Sequence, residues 1–137
     1  HWEAGHRLLI NRQVEVAVVE NGAEAILRDG LAYDRCQVGV VTDLDGAAAL
    51  AAFDIRESDQ MLKVLRTQVD VVLPDGVAVL NADDERVAEL AGLCDGEVIL
   101  YGVDAATPVL QAQRAQGGRA VFLRHGRAVL ATGGVET

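Results

Sequence analysis

The chain alternates between short β-branched runs and stretches whose apolar residues recur at helical spacing. Residues 14–19 form the first run, with Val14, Val16, Val18 and Val19, and it ends at Glu20. Residues 36–42 (CQVGVVT), 77–80 and 97–101 form three more. Runs that are apolar on both sides of the alternation suit strands buried on both faces of a parallel sheet. Leu8, Leu9 and Ile10 mark a short helix over residues 3–11. Met61, Leu62, Leu65 and Val69 predict a longer helix from Asp59 to about Val72, with Ser58 as its cap. Pro74-Asp75-Gly76 predicts a turn before the third strand. Asp83 or Asp84 opens a helix over residues 85–93, and Gly96 ends the turn after it. The small apolar stretch 46–52 reads as helix.

Strands alternating with helices predict an α/β fold: a mostly parallel sheet with flanking helices and right-handed crossovers. The pattern changes after Pro108. Gly117-Gly118 precedes a strand over residues 119–123, and His125-Gly126 separates it from another over 128–131, which reads as a C-terminal β-hairpin. The expectation is one domain over residues 1–137, with an α/β part (1–104) and a hairpin extension (105–137).

Composition narrows the chemistry. Half of the residues are hydrophobic but only 4% are aromatic, so the core is built from Val, Leu, Ile and Ala. The net charge of -9 argues against a nucleic-acid backbone or an anionic membrane surface as partner. Lys63 is the only lysine. Cys36 and Cys94 stand far apart without CxxC spacing, which argues against zinc and fits a reducing cytoplasm. No apolar run reaches transmembrane length.

In an open α/β sheet, ligands gather at the carboxyl ends of the strands. Three polar clusters fall there: Glu20-Asn21-Gly22, Thr42-Asp43-Leu44-Asp45 and Asn81-Ala82-Asp83-Asp84. Converging carboxylates suit a magnesium ion with a nucleotide. The same residue types also cap turns and helix starts, so spacing alone leaves both readings open.

Residue order adds a resemblance. The segment VEVAVVENGAEAILRDGLAYDRCQVGVVT (residues 14–42) resembles cyanophycin synthetases, whose pattern there is E-T-A-R-G-G-I-L-R, then G-L, then D-R-C-(D)-V-G-V-V-T-N. Glu20, Ile26, Leu27, Arg28, Gly30, Leu31, Asp34, Arg35, Cys36, Val38, Gly39, Val40, Val41 and Thr42 match in register. LPDGVAVLNADD (residues 73–84) is similar to the family's L-P-D-G-Y-A-V-L-N-A-D-D, and the resemblance runs from about residue 3 to 134.

The resemblance implies the second half of a Mur-ligase-type central domain, a P-loop NTPase-like fold. It implies an ATP-dependent ligase that activates a carboxylate as an acyl phosphate for attack by an amine, with ATP and magnesium as cofactors. Glu20 matches the family's magnesium-binding glutamate, and Asn81 matches a position near the adenine, with Asp83 and Asp84 beside it. Other positions depart from the family. Its R-G-G reads Ala23-Glu24-Ala25, its histidine ligand falls on Ala49, and its modified lysine falls on Leu65. The P-loop G-x-x-x-x-G-K-[ST] is absent from these residues. No catalytic residue is therefore expected, and nucleotide binding by this chain alone is expected to be weak or nil. The alternatives are a non-catalytic assembly module or a nucleotide-sensing pseudo-ligase. The family's P-loop strand lies inside the sheet, so the expected partner is a second copy or the remainder of a longer ligase chain.

Overall fold

The computed structural model describes residues 2–137. Its elements are α1 (Trp2–Leu9), α2 (Ala23–Asp29), β1 (Cys36–Val41), α3 (Ser58–Leu65), α4 (Thr67–Asp70), β2 (Val72–Asn81), α5 (Glu85–Glu89), β3 (Glu97–Asp104), α6 (Pro108–Ala115), β4 (Arg119–Arg124), β5 (Arg127–Thr132) and β6 (Val135–Glu136). Two 3-10 helices, Ala47–Phe53 and Leu90–Leu93, lie between them. The six strands form one sheet in the order β1-β2-β3-β4-β5-β6. β1 to β4 run parallel, and β5 and β6 return antiparallel. The α/β fold read from the sequence is present, and the C-terminal hairpin extends the same sheet.

The core lies on one face of the sheet. Val41, Ala78, Leu80, Leu100, Ala120 and Phe122 point into it and are 0–3% exposed. Met61, Val64 and Leu65 of α3, Val69 of α4, Val87 of α5 and Leu110 of α6 pack against them. α4 comes so close to β1 that a Cβ on Gly39 would meet the Gln68 carbonyl oxygen at 2.3 Å. The hairpin turns at His125 (φ 52°) and Gly126 (φ 74°). Positive φ at both central residues is what a two-residue turn requires to follow the strand twist.

Four details differ from the sequence reading. Residues 14–19 are not a strand: they have no ladder partner, and Val16 and Val18 are 80% and 93% exposed. A β-branched run becomes a strand only where another strand offers hydrogen bonds, and none does here. Pro74-Asp75-Gly76 bulges within β2 rather than preceding it, as the ladder passes from Cys36↔Val72 to Val38↔Val77. The helix expected from Asp59 to Val72 divides at Arg66 into α3 and α4, and its cap is Glu57, whose N–H donates to Gln60 Oε1 at 3.1 Å. α6 was not foreseen, although Pro108 at its first turn is a helix-start signal.

Candidate functional site at the carboxyl edge of the sheet

The parallel strands bring their carboxyl ends to one edge, and the loops there carry the polar clusters. Asn81 ends β2, beside Tyr101 of β3 in the ladder. Its Nδ2 donates to the Thr42 carbonyl at 2.8 Å, tying the β2 exit to the β1 exit. Its Oδ1 accepts from Asp83 N at 3.0 Å, which closes a tight Asx turn. Asp83 Oδ2 then accepts from Val103 N at 2.8 Å, binding the same loop to β3. Gly102 leaves room for this carboxylate, since a Cβ there would lie 2.6 Å from Asp83 Oδ1. Asp84 caps α5, its Oδ1 accepting from Arg86 N at 3.0 Å and Val87 N at 3.4 Å. After β1, Thr42 Oγ1 donates to Asp43 Oδ2 at 2.8 Å, and Asp43 Oδ1 accepts from Asp45 N at 3.0 Å.

Asn81, Asp83 and Asp84 thus stand together, as the sequence placed them, and each holds the loop in shape through backbone groups. Tyr101 joins them, a residue that the sequence reading passed over because an aromatic inside a β run looks like core. Partial burial pushes its hydroxyl above the usual tyrosine range, and the Asp43 and Asp83 carboxylates push the same way. The edge is therefore acidic, with one phenol that stays protonated at neutral pH.

Beside this edge lies an open groove of about 640 Å³, lined by Asp45, Arg56, Glu57, Asp59, Asp84 and Arg86 among others. Its two arginines are already paired, Arg86 with Asp59 and Arg56 with Asp54 (3.5 Å). Among the described residues its wall holds no third cation to offset a polyphosphate, which such a site needs.

Glu20 is exposed and lies outside the helices and strands. Its neighbour Asn21 is anchored, donating to Tyr33 Oη at 2.7 Å and Gln68 Oε1 at 3.2 Å. Among the described residues, no group of three or more His, Cys, Asp or Glu side chains is placed to hold a metal ion. Glu20 therefore belongs to no such group of three.

Arg28 pairs with Glu24 at 3.1 Å and Asp29 at 3.3 Å, while no ion pair among the described residues includes Arg35. His125 is exposed in the hairpin turn. Both cysteines are free thiols, and burial raises the Cys36 thiol above its ordinary range, with Cys94 contributing. Among the described residues, no helix is long and apolar enough to cross a membrane.

No family model matches the chain. Known proteins do. Over 119 residues, 87% of the chain, it is 40% identical to the cyanophycin synthetase of Synechocystis sp. and 37% identical to that of Crocosphaera subtropica. Over 124 residues, 90% of the chain, it is 34% identical to the cyanophycin synthetase of Nostoc sp.. In each case the match covers 14% of the relative, so the chain spans about one seventh of the length of these proteins.

Proposed function

We propose that this chain, a relative of one segment of cyanophycin synthetases, is part of an ATP-dependent amino-acid ligase and does not turn over ATP by itself. The observation that carries the reading is 34–40% identity sustained over 87–90% of the chain. Two features support the second clause. The groove beside the carboxyl edge has both of its arginines engaged in ion pairs. Glu20 also belongs to no group of three or more His, Cys, Asp or Glu among the described residues.

Within a complete ligase, we assign this chain to the second part of a Mur-ligase-like central domain. Its contribution there is a shaped carboxyl edge. Asn81, Asp83 and Asp84 fix the loop after β2 against the β1 exit and against β3, on the side of the sheet where nucleotides bind in open α/β folds. Glu20 is assigned to magnesium only when phosphate oxygens and other segments complete the coordination.

The test is a phosphate-release assay on the purified chain with ATP and magnesium, with and without aspartate and arginine. The expected result is the rate of the protein-free control. Turnover that disappears in Glu20→Ala would overturn the assignment. Calorimetry with ATP and with adenosine gives an independent check. Any surviving affinity is expected to depend on Asn81 and Asp83 more than on Glu20. A sub-micromolar, magnesium-dependent affinity for ATP would reveal a complete phosphate site.

A further inference from the structure

Charge is unevenly spread along this chain. Residues 1–104 hold 20 of its 21 carboxylate side chains, whereas residues 105–137 hold four arginines, His125 and a single carboxylate, Glu136. A local excess of cations in an acidic chain draws anions to that place. Three of the four arginines come together. Arg124 ends β4 and faces Arg127, the first residue of β5, across the last ladder pair of the hairpin. Paired strand residues point to the same side of the sheet, and like charges placed so repel unless an anion stands between them. Phe122, two residues before Arg124, shares that side, which is the face that carries α6. Arg114, in the last turn of α6, reaches the same place.

Glu136 of β6 supplies one anion. Its Oε1 accepts from Arg114 at 2.7 Å and from Arg124 at 3.2 Å, and its Oε2 accepts from Arg124 at 2.5 Å. Arg124 thus grips both oxygens in a fork, the arrangement a planar guanidinium offers a carboxylate. The Arg114 and Arg124 guanidinium carbons lie 5.1 and 5.3 Å from the centroid of the buried Phe122 ring, within cation–π range. Arg114 also donates from Nε to the Gly133 carbonyl at 3.0 Å. The ring and that carbonyl hold the forks in place independently of Glu136.

Two features show that this cradle is not matched to Glu136 alone. Its positive charge exceeds what one carboxylate neutralises, and among the described residues no ion pair includes Arg127. The occupant is also lightly held. β6 is two residues long, joined to β5 by the pairs Ala131↔Glu136 and Thr132↔Val135 and by reciprocal bonds between Leu130 and Thr137. The Glu136 side chain stays 27% exposed, so solvent reaches it.

We propose that Arg114 and Arg124, backed by Phe122, form a carboxylate-binding site that Glu136 fills in the resting chain, and that a ligand carrying two carboxylates takes its place with Arg127 as the second anchor. A single carboxylate has no advantage over Glu136, which is tethered beside the forks. A second carboxylate on Arg127 tips the exchange, because the two contacts act as one binding event. Displaced from the forks, Glu136 no longer pins β6, which loosens from β5. The site shares no residue with the groove lined by Arg56 and Arg86, and it does not rest on the ligase reading.

Calorimetry on the full polypeptide that carries these residues tests the proposal, with acetate, glutarate and a blocked tripeptide containing two glutamates as probes. The two-carboxylate probes are expected to bind at least about 10-fold more tightly than acetate. Glu136→Gln vacates the forks and should raise their affinity by about 10-fold or more, the shift expected when a resident group leaves less than a tenth of the sites open. Arg127→Gln alters an exposed side chain and should erase the preference over acetate without disturbing the fold. Hydrogen exchange at Leu130 and Thr137 reads β6 directly: saturating glutarate should speed both amides in the parent towards their rates in Glu136→Gln. Tighter binding of glutarate assigns the carboxylate pair to a free acid and tighter binding of the tripeptide to a peptide; either order upholds the site. No binding to Glu136→Gln, equal affinity in the parent and Glu136→Gln, or a preference that survives Arg127→Gln would each overturn it.

Discussion

Replacing Gly39 by alanine tests the closest approach in the fold. A Cβ at this position lies 2.3 Å from the Gln68 carbonyl oxygen and 2.8 Å from Val72 Cγ2. Since real Cβ contacts do not fall below 3.0 Å, α4 must retreat from β1 by more than half an ångström. The obstacle is backbone, so no rotamer change relieves it. The retreat drags Val69, which is fully buried, and loosens the Gln68 contact that anchors Asn21. Overpacking of this kind costs about 1–3 kcal/mol, with the upper half expected here. With a urea m-value of about 2 kcal/mol/M, the midpoint falls by roughly 1 M. Gly92→Ala is the matched control, because nothing lies within 4 Å of a Cβ there, and it is expected to stay within about ±0.5 kcal/mol. Urea melts followed by far-ultraviolet circular dichroism read both variants. A Gly39→Ala midpoint indistinguishable from that of the parent would refute the close packing of α4 on β1.

Two further outcomes follow from the polar contacts. Asp84→Ala should destabilise the chain by about 1 kcal/mol in the same melts, whereas Asp84→Asn should be nearly neutral because asparagine caps equally well; equal losses would show that the charge, not the cap, matters. Glu136 accepts from Arg124 at 2.5 Å and Arg114 at 2.7 Å, and the Arg124 bond foremost holds its carboxyl below the usual glutamate range. A depressed folded value means that the stabilisation is present above the unfolded pKa of about 4.3 and is lost as pH falls through the folded value. The melting-temperature gap between parent and Glu136→Gln should therefore narrow as pH drops from about 5 towards 3, and a gap that widens on acidification would contradict the pairing.

The strands and helices with strong local patterns were legible in the chain itself. β1, β2 and β3 are β-branched runs, α3 has its apolar residues at helical spacing, and the hairpin is announced by His125-Gly126. These signals are local, because period and turn chemistry depend on neighbours in sequence. The resemblance to cyanophycin synthetases was equally legible, since residue order alone carries it. The polar cluster at the strand ends was visible as a group, but its bonding was not. That Asp83 reaches Val103 and Asn81 reaches the Thr42 carbonyl depends on which strands lie side by side.

Tertiary structure decided the rest. Residues 14–19 have every local mark of a strand, yet a strand exists only with a partner, and no local signal says whether one is present. α6 lacked a strong apolar stripe and was missed, because a single deeply buried residue, Leu110, fixes it to the sheet. Above all, the pattern of β1 to β3 says that both faces are apolar but not which face is covered. That choice came from the handedness of the crossovers and the order of the strands, a property of the whole sheet that no stretch of the sequence holds alone.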